Sequence, residues 1–255
     1  RKTVNTYFNL AVRDYLLDLD PAMAFDVITF NNVLANISEP YESLLLAKSL
    51  LKPNGLIVIQ TGYHPQQFAR GLFDYVYHEH FSYFSLSSLS AIATRANLSL
   101  YKYFFYDLRG GTLRAYFSTS QSTQPFKSNF HERFCNQHEL DSLFKLVDTS
   151  QYSLVNTLDA SKKQGDVIVG YGASHSTGIL VHDFGLDRYF DYLVDDNKLK
   201  HGRFMPGTSL IVNPVSDCID SVEIIVVLAW QYFDQIRDRI FSLGFKGQVI
   251  RPILP

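Results

Sequence analysis

Residues 25–60 set the tightest limit on what this chain can fold into. Phe25-Asp26-Val27-Ile28-Thr29-Phe30 is a short β-prone run closed by Asn31-Asn32. The stretch from Glu39 to Leu51 reads as an amphipathic helix, with Ser38 the expected N-cap and Pro53-Asn54-Gly55 the stop. Leu56-Ile57-Val58-Ile59-Gln60 follows as a buried-type strand. Strand, helix, turn and strand in that order make a βαβ unit, which requires parallel strands in an α/β sheet. A further helix is expected before it, from Ala11 to Leu19.

A second series of the same kind starts at Asp166-Val167-Ile168-Val169. It passes through Gly170-Tyr171-Gly172-Ala173-Ser174 into a helix ending near Phe184. Strands follow at Tyr192–Val194 and Val222–Leu228, then a helix from Tyr232 to about Leu243 and a last strand at Gln248–Arg251. This predicts a small doubly wound sheet. Between the two series, Ser85 or Ser87 caps a helix running to Ala96. Strands Leu98–Asp107 and Thr112–Ser118, joined by Arg109-Gly110-Gly111, read as an antiparallel hairpin. Residues 119–163 read as a helical connector with Phe134, Leu140, Leu143, Phe144, Leu146 and Val147 facing inward.

Composition narrows the function classes. Net charge is -2 with no basic run, so nucleic acid is not the expected partner. No apolar run reaches the length of a membrane span and no signal-peptide pattern is present. Cys135 and Cys218 stand far apart, which indicates neither a disulfide framework nor a cysteine zinc site. A reducing, cytoplasmic setting is the expectation.

Three stretches carry groups capable of chemistry. Tyr75-Val76-Tyr77-His78-Glu79-His80-Phe81-Ser82-Tyr83-Phe84 gathers two histidines, a carboxylate and three phenols. His-x-His can supply two metal ligands, a histidine beside a carboxylate or phenol can move a proton, or the polar residues can simply precede the next helix. No further ligand stands at a telling spacing, so no metal is expected. The second stretch, Gly170 to Gly178, leads from a strand through a Gly-rich turn into a helix whose free N–H groups suit a phosphate. Asp195 and Asp196 then stand where a ribose hydroxyl would be held. His175 occupies the third glycine position of Gly-x-Gly-x-x-Gly, so a ligand-free turn fits as well. The third stretch is Asn31-Asn32, at the strand end where α/β sheets bind ligands.

Taken in order, these segments resemble the sugar C-methyltransferases, which move a methyl group from S-adenosylmethionine to a ring carbon of a nucleotide-linked keto sugar. The resemblance rests on Phe25–Ile28 with Asn31–Ala35, Tyr77–Leu86 and Gly110–Arg114. It continues through Gly170–Ser174, Val194–Asn197, Lys200–Gly202, Pro206–Thr208, Leu228–Trp230 and Arg251–Pro255. It implies an α/β chain with three parts: a partial class I methyltransferase Rossmann-like domain over residues 1–118, the connector over 119–163, and a smaller Rossmann-like sugar-nucleotide domain over 164–255. A zinc-binding domain and the Gly-rich cofactor turn are expected upstream of residue 1, so this stretch alone is expected to bind the cofactor poorly.

By resemblance, His80 is the base that removes a proton beside the ketone, with Glu79 and Tyr77 positioning it or the sugar. Asn31 and Asn32 are the cofactor contacts. Asn36, Tyr63, His78, Arg109, Arg114, Tyr171, Ser174 and His175 are the substrate contacts. Three positions depart from the family's pattern: Asn36 and Arg109 stand where histidine is usual, and His175-Ser176-Thr177 replaces a lysine-containing stretch. Two other readings remain open at this stage. One is a nicotinamide-dependent oxidoreductase built on Gly170-x-Gly172 and Asp195-Asp196. The other is a non-catalytic relative that binds a sugar nucleotide.

Overall fold

A computed structural model of the chain describes residues 3–120 and 137–253. Two compact units are present, residues 1–70 with 78–135 and residues 71–77 with 136–255. The short segment 71–77 groups with the second unit rather than with its neighbours in sequence.

The first unit opens with α1 (Leu10–Leu19), capped by the Asn9 side chain. Strand β1 (Phe25–Asn31) and strand β2 (Leu51–Gly62) pair in parallel across α2 (Pro40–Ser49). Two details differ from expectation. Helix α2 begins at Pro40, whose missing N–H is harmless in the first turn, so Glu39 rather than Ser38 is the residue before it. Pro53-Asn54-Gly55 lies inside β2 instead of ahead of it. Asn54 adopts φ 63° there, and the register with β1 shifts between Phe25 and Val27, so the turn-forming residues make an irregularity within the strand.

Helix α3 (His64–Ala69) follows β2 directly, and α4 (Leu86–Arg95) carries a capping box between Ser85 and Ser88. Strands β3 (Ser99–Tyr106) and β4 (Thr112–Ser118) form the expected hairpin, and the sheet order is β1-β2-β4-β3. Alternation along β2 and β4 puts Ile57, Ile59, Leu113, Ala115 and Phe117 on one face, all at 0% exposure. Leu44 and Ala47 of α2 and Leu89 and Ala93 of α4 pack with them in one core. Each large apolar side chain buried there contributes about 1.5–3 kcal/mol, enough to fix the β2 register and hence what stands at its carboxyl end.

The second unit contains α5 (Gln137–Gln164), a single long helix. Leu143 and Val147 are buried as expected, whereas Phe144 is 58% exposed, because the buried stripe runs through Leu143, Val147, Ser150, Leu154 and Leu158. Phe134 lies outside the described residues. Strands β5 (Ile168–Tyr171), β6 (Tyr192–Val194), β7 (Val212–Asn213), β8 (Ile224–Val227) and β9 (Gln248–Ile250) form an all-parallel sheet in the order β7-β6-β5-β8-β9. Helix α6 (His175–Phe184) follows β5 and α7 (Phe233–Ser242) follows β8. The order reverses between β5 and β8, which makes a crevice at their carboxyl ends.

Candidate functional site

In the first unit, β1 and β2 deliver their carboxyl ends to one edge of the sheet. Asn32 turns the chain there at φ 52° and donates its N–H to the Gln60 carbonyl, 2.8 Å. Asn31 and Asn32 are exposed, and the Asn31 amide reaches Thr29 Oγ1, 3.4 Å away. A 3₁₀ turn over Leu34–Asn36 follows. The Ala35 carbonyl accepts the N–H groups of Phe81 and Ser82, at 2.8 and 3.1 Å. These bonds tie the histidine-bearing loop to the end of β1 and bring Asn36 and His80 to the same edge.

The loop is not extended. His78 and Glu79 form a turn. His78 is exposed, and Glu79 and His80 are half-buried. The His80 ring packs at 5.7 Å from Tyr83 and 6.0 Å from His64, edge-on to both.

His64 is a residue the sequence reading passed over. It sits at the first position of α3, is 3% exposed, and packs 4.6 Å from the Tyr83 ring and 5.6 Å from Phe68. Neither ring nitrogen has a hydrogen-bond partner among the described residues. Burial, and secondarily the neighbouring His80, lower its pKa to about 3, so it is neutral at any ordinary pH. Its signal in the sequence was its place, two residues beyond a buried strand.

Tyr63 and Arg109 also meet this edge. The Tyr63 ring is buried 4.5 Å from Phe105, and its N–H donates to the Gly111 carbonyl, 3.0 Å. Gln67, 1% exposed, donates its amide to the carbonyls of Arg109 and Gly111, at 3.0 and 3.1 Å. Gly111 is required at φ 142°, where a Cβ would also lie 2.9 Å from Gln66 Oε1. Gln67→Leu keeps the volume but strands the Arg109 carbonyl, while the Gly111 carbonyl keeps the Tyr63 N–H, so we expect a loss of about 1–2 kcal/mol in denaturant unfolding. Arg114 is engaged within the sheet instead, bonding Gln60 Oε1 at 3.0 Å and lying over the Tyr106 ring at 5.0 Å.

In the second unit, the residues of the Gly-rich turn have internal partners. Gly170 is excluded from bearing a side chain by packing, since a Cβ would lie 2.6 Å from Leu228 and 2.7 Å from Leu193. Ser174 Oγ caps α6 through Thr177 N at 3.4 Å, and Tyr171 donates its hydroxyl to Asp196 at 2.6 Å. Burial and the Asp196 carboxylate together push the Tyr171 pKa up. Asp196 also pairs with Arg239. Asp195 accepts from Ala173 N, Asn197 N and Lys200 Nζ, each at 2.8 Å. Burial alone would raise the Asp195 pKa, but the bonds from Lys200, Asn197 and Ala173 outweigh it and hold it below the ordinary value. Both carboxylates that a dinucleotide ribose would need are therefore engaged, as is one N–H of the turn. His175 and Tyr77 lie ring along ring at 6.4 Å.

The same unit holds a second residue that sequence reasoning missed. Asp74 is fully buried, accepts the Trp230 indole N–H at 3.2 Å, and leaves Oδ1 without a full hydrogen bond. Burial dominates over the bonds from Trp230, its own backbone and Ser176, and raises its pKa to about 7.

Asn31 and Asn32 present exposed amides at the carboxyl edge of the first unit, while no Gly-rich turn runs from a strand into a helix among the described residues of that unit. Among the described residues, no group of three or more His, Cys, Asp or Glu could hold a metal ion, and no helix is long and apolar enough to cross a membrane.

Residues 7–103 match a methyltransferase domain model, and residues 107–253 match the C-methyltransferase C-terminal domain. The curated C-methyltransferase NovU of Streptomyces niveus is 26% identical over 233 residues, covering 86% of this chain and 55% of that protein. The chain thus spans about half the length of this curated relative. Among solved structures, the N-methyltransferase NodS of Bradyrhizobium japonicum aligns with TM-score 0.30 at 16% identity, over 42% of this chain and 57% of its own. An O-methyltransferase family protein of Burkholderia thailandensis aligns with TM-score 0.30 at 22% identity, over 40% and 32% respectively. Scores this low carry no argument; the family models, the second spanning more than half of the chain, do. The α/β chain described here belongs to the C-methyltransferase family.

Proposed function

We propose that this chain takes part in S-adenosylmethionine-dependent methylation of a ring carbon next to the ketone of a nucleotide-linked keto sugar. The observation that carries the reading is the anchoring of the His78–Ser82 loop, through Ala35, at the carboxyl edge of the parallel β1–β2 pair. S-adenosylmethionine, when bound, supplies an electrophilic methyl group, so the chain's own task is to make the sugar carbon nucleophilic and align it.

His80 takes the proton from the carbon beside the ketone, and an enolate forms with its charge on the former ketone oxygen. Donors aimed at that oxygen stabilise it as charge builds. Asn36, on the turn beside Ala35, is a donor available at this edge. Glu79 and Tyr77 position His80 or the sugar, and Tyr63 with the Arg109–Gly111 turn walls the edge. Asn31 and Asn32 hold the cofactor rim, while Arg114 reaches the sugar only by giving up its bond to Gln60. Exposed His78 in the first unit, and separately Tyr171, Ser174 and His175 on the turn after β5 in the second, are the remaining candidate sugar-nucleotide contacts. The internal engagement of Asp195 and Asp196 disfavours a nicotinamide nucleotide in the second unit.

Deprotonation has a direct readout. The full-length protein incubated with a nucleotide-linked keto sugar in deuterated water should wash deuterium into the carbon next to the ketone, detected by NMR. Methylation by mass spectrometry then requires added S-adenosylmethionine. Binding of the sugar nucleotide without exchange or methylation would instead establish a non-catalytic relative.

A further inference from the structure

In doubly wound sheets, ligands bind at the crevice where the strand order reverses, with acidic groups of the ligand favoured at the following helix N-terminus. In the second unit that crevice lies between the ends of β5 and β8, and the chain's own segment 71–77 occupies it. Asp74 accepts from Trp230, which follows β8, and faces Ser176 in the first turn of α6, which follows β5. Phe73 stacks on Phe184 of α6 at 5.8 Å, and Tyr75 donates its hydroxyl to Gln231 at 2.9 Å. The buried carboxyl thus sits where the acidic group of a bound nucleotide would be expected. From Tyr77 the chain runs directly into His78, Glu79 and His80.

We propose that this crevice is the receptor for segment 71–77, and that Asp74 is a positioning residue that holds the entry to the His78–His80 loop. The catalytic meaning of the loop rests on the function proposed above; the docking itself does not. Ionisation of Asp74 places a charge in a buried site whose named partners, Trp230, Ser176 and its own backbone, are all neutral, and so loosens the segment. Titratable and charged groups stand on the elements packed around it. His175 of α6 lies along the Tyr77 ring, and Arg251 lies over the Trp230 ring, its guanidinium 5.7 Å from the centroid. Tyr75, on the segment itself, is bonded to Gln231.

Trp230 is the chain's single tryptophan, so its emission reports on this seat alone. The full chain titrated between about pH 5 and 9 should show a red shift of that emission as Asp74 ionises near neutrality. Far-UV circular dichroism should stay constant over the same range, and Asp74→Asn should keep the short-wavelength emission throughout. In the full-length protein, turnover should fall over the same interval, and that fall should be missing in Asp74→Asn. Emission that does not respond to pH, an equal shift in Asp74→Asn, or a shift accompanied by loss of secondary structure each overturns the proposal. Because emission is read without substrate, failure of the methylation reading leaves this result standing, and failure of the docking leaves deuterium exchange testable.

Discussion

Asp74→Asn is expected to stabilise the second unit at pH 8 by about 4 kcal/mol, and to change it little at pH 4. The sign follows from the raised acid pKa, about 7 in the folded chain against an ordinary 3.8. Below 3.8 both folded and unfolded chains hold the proton, and the favourable burial of the neutral acid is fully present. Between 3.8 and 7 the unfolded chain ionises while the folded chain resists, so stability falls as pH rises and levels off above the folded pKa. Each unit of difference corresponds to about 1.4 kcal/mol, and roughly three units separate the two states. Asparagine has no proton to lose, fills the same volume and keeps an oxygen to accept from Trp230. Denaturant unfolding followed by Trp230 emission at pH 5 and pH 8 checks this, since that probe reads the second unit without assuming one transition for the whole chain. An Asp74→Asn gain that is equal at the two pH values would exclude linkage to this carboxyl.

Much of the fold was legible because its signals are local. The serines at 85 and 87 announced the α4 cap, which Ser85 supplies, and the apolar run Leu56–Ile59 and the close spacing of Leu98–Asp107 and Thr112–Ser118 announced strands and a hairpin. The PNG turn misled because those residues mark a backbone irregularity as readily as a turn, and a parallel partner at Phe25 drew them into β2. Phe144 misled because a helix is buried along one stripe and Phe144 stands beside it. The candidate site was half legible. His80 and Asn36 were visible as residue types, and the bonds to Ala35 that bring them to one edge are tertiary. Asp74 and His64 were invisible for the same reason. Asp74 reads as an ordinary polar residue until Trp230, 156 positions away, closes over it. His64 reads as a loop residue until Tyr83 and Phe68 enclose it. In the opposite direction, Gly170, Asp195 and Asp196 looked like a ligand fingerprint, and packing and internal bonding account for all three.

The two histidines at the first unit's edge should respond very differently to substitution. A base must accept a proton, and burial lowers the His64 pKa to about 3, so His64 does not do so near neutrality. The neighbouring His80, its ring 6.0 Å away, disfavours a charge on His64 further, so His64 stays neutral. Loss of a general base typically costs about 10²–10⁴-fold in rate, and His80→Gln in the full-length protein is expected to lose turnover within that range while still binding S-adenosylmethionine. His64→Phe keeps a ring against Tyr83 and Phe68 and removes two buried nitrogens without partners, each a penalty of about 1–3 kcal/mol. That variant should therefore unfold at equal or higher denaturant concentration and keep turnover within about tenfold. Steady-state kinetics, cofactor titration and unfolding curves on the two variants separate the roles. If His64→Phe lost as much turnover as His80→Gln with its stability intact, proton transfer could not be assigned to His80 alone, and the buried imidazole would have to touch the reacting sugar.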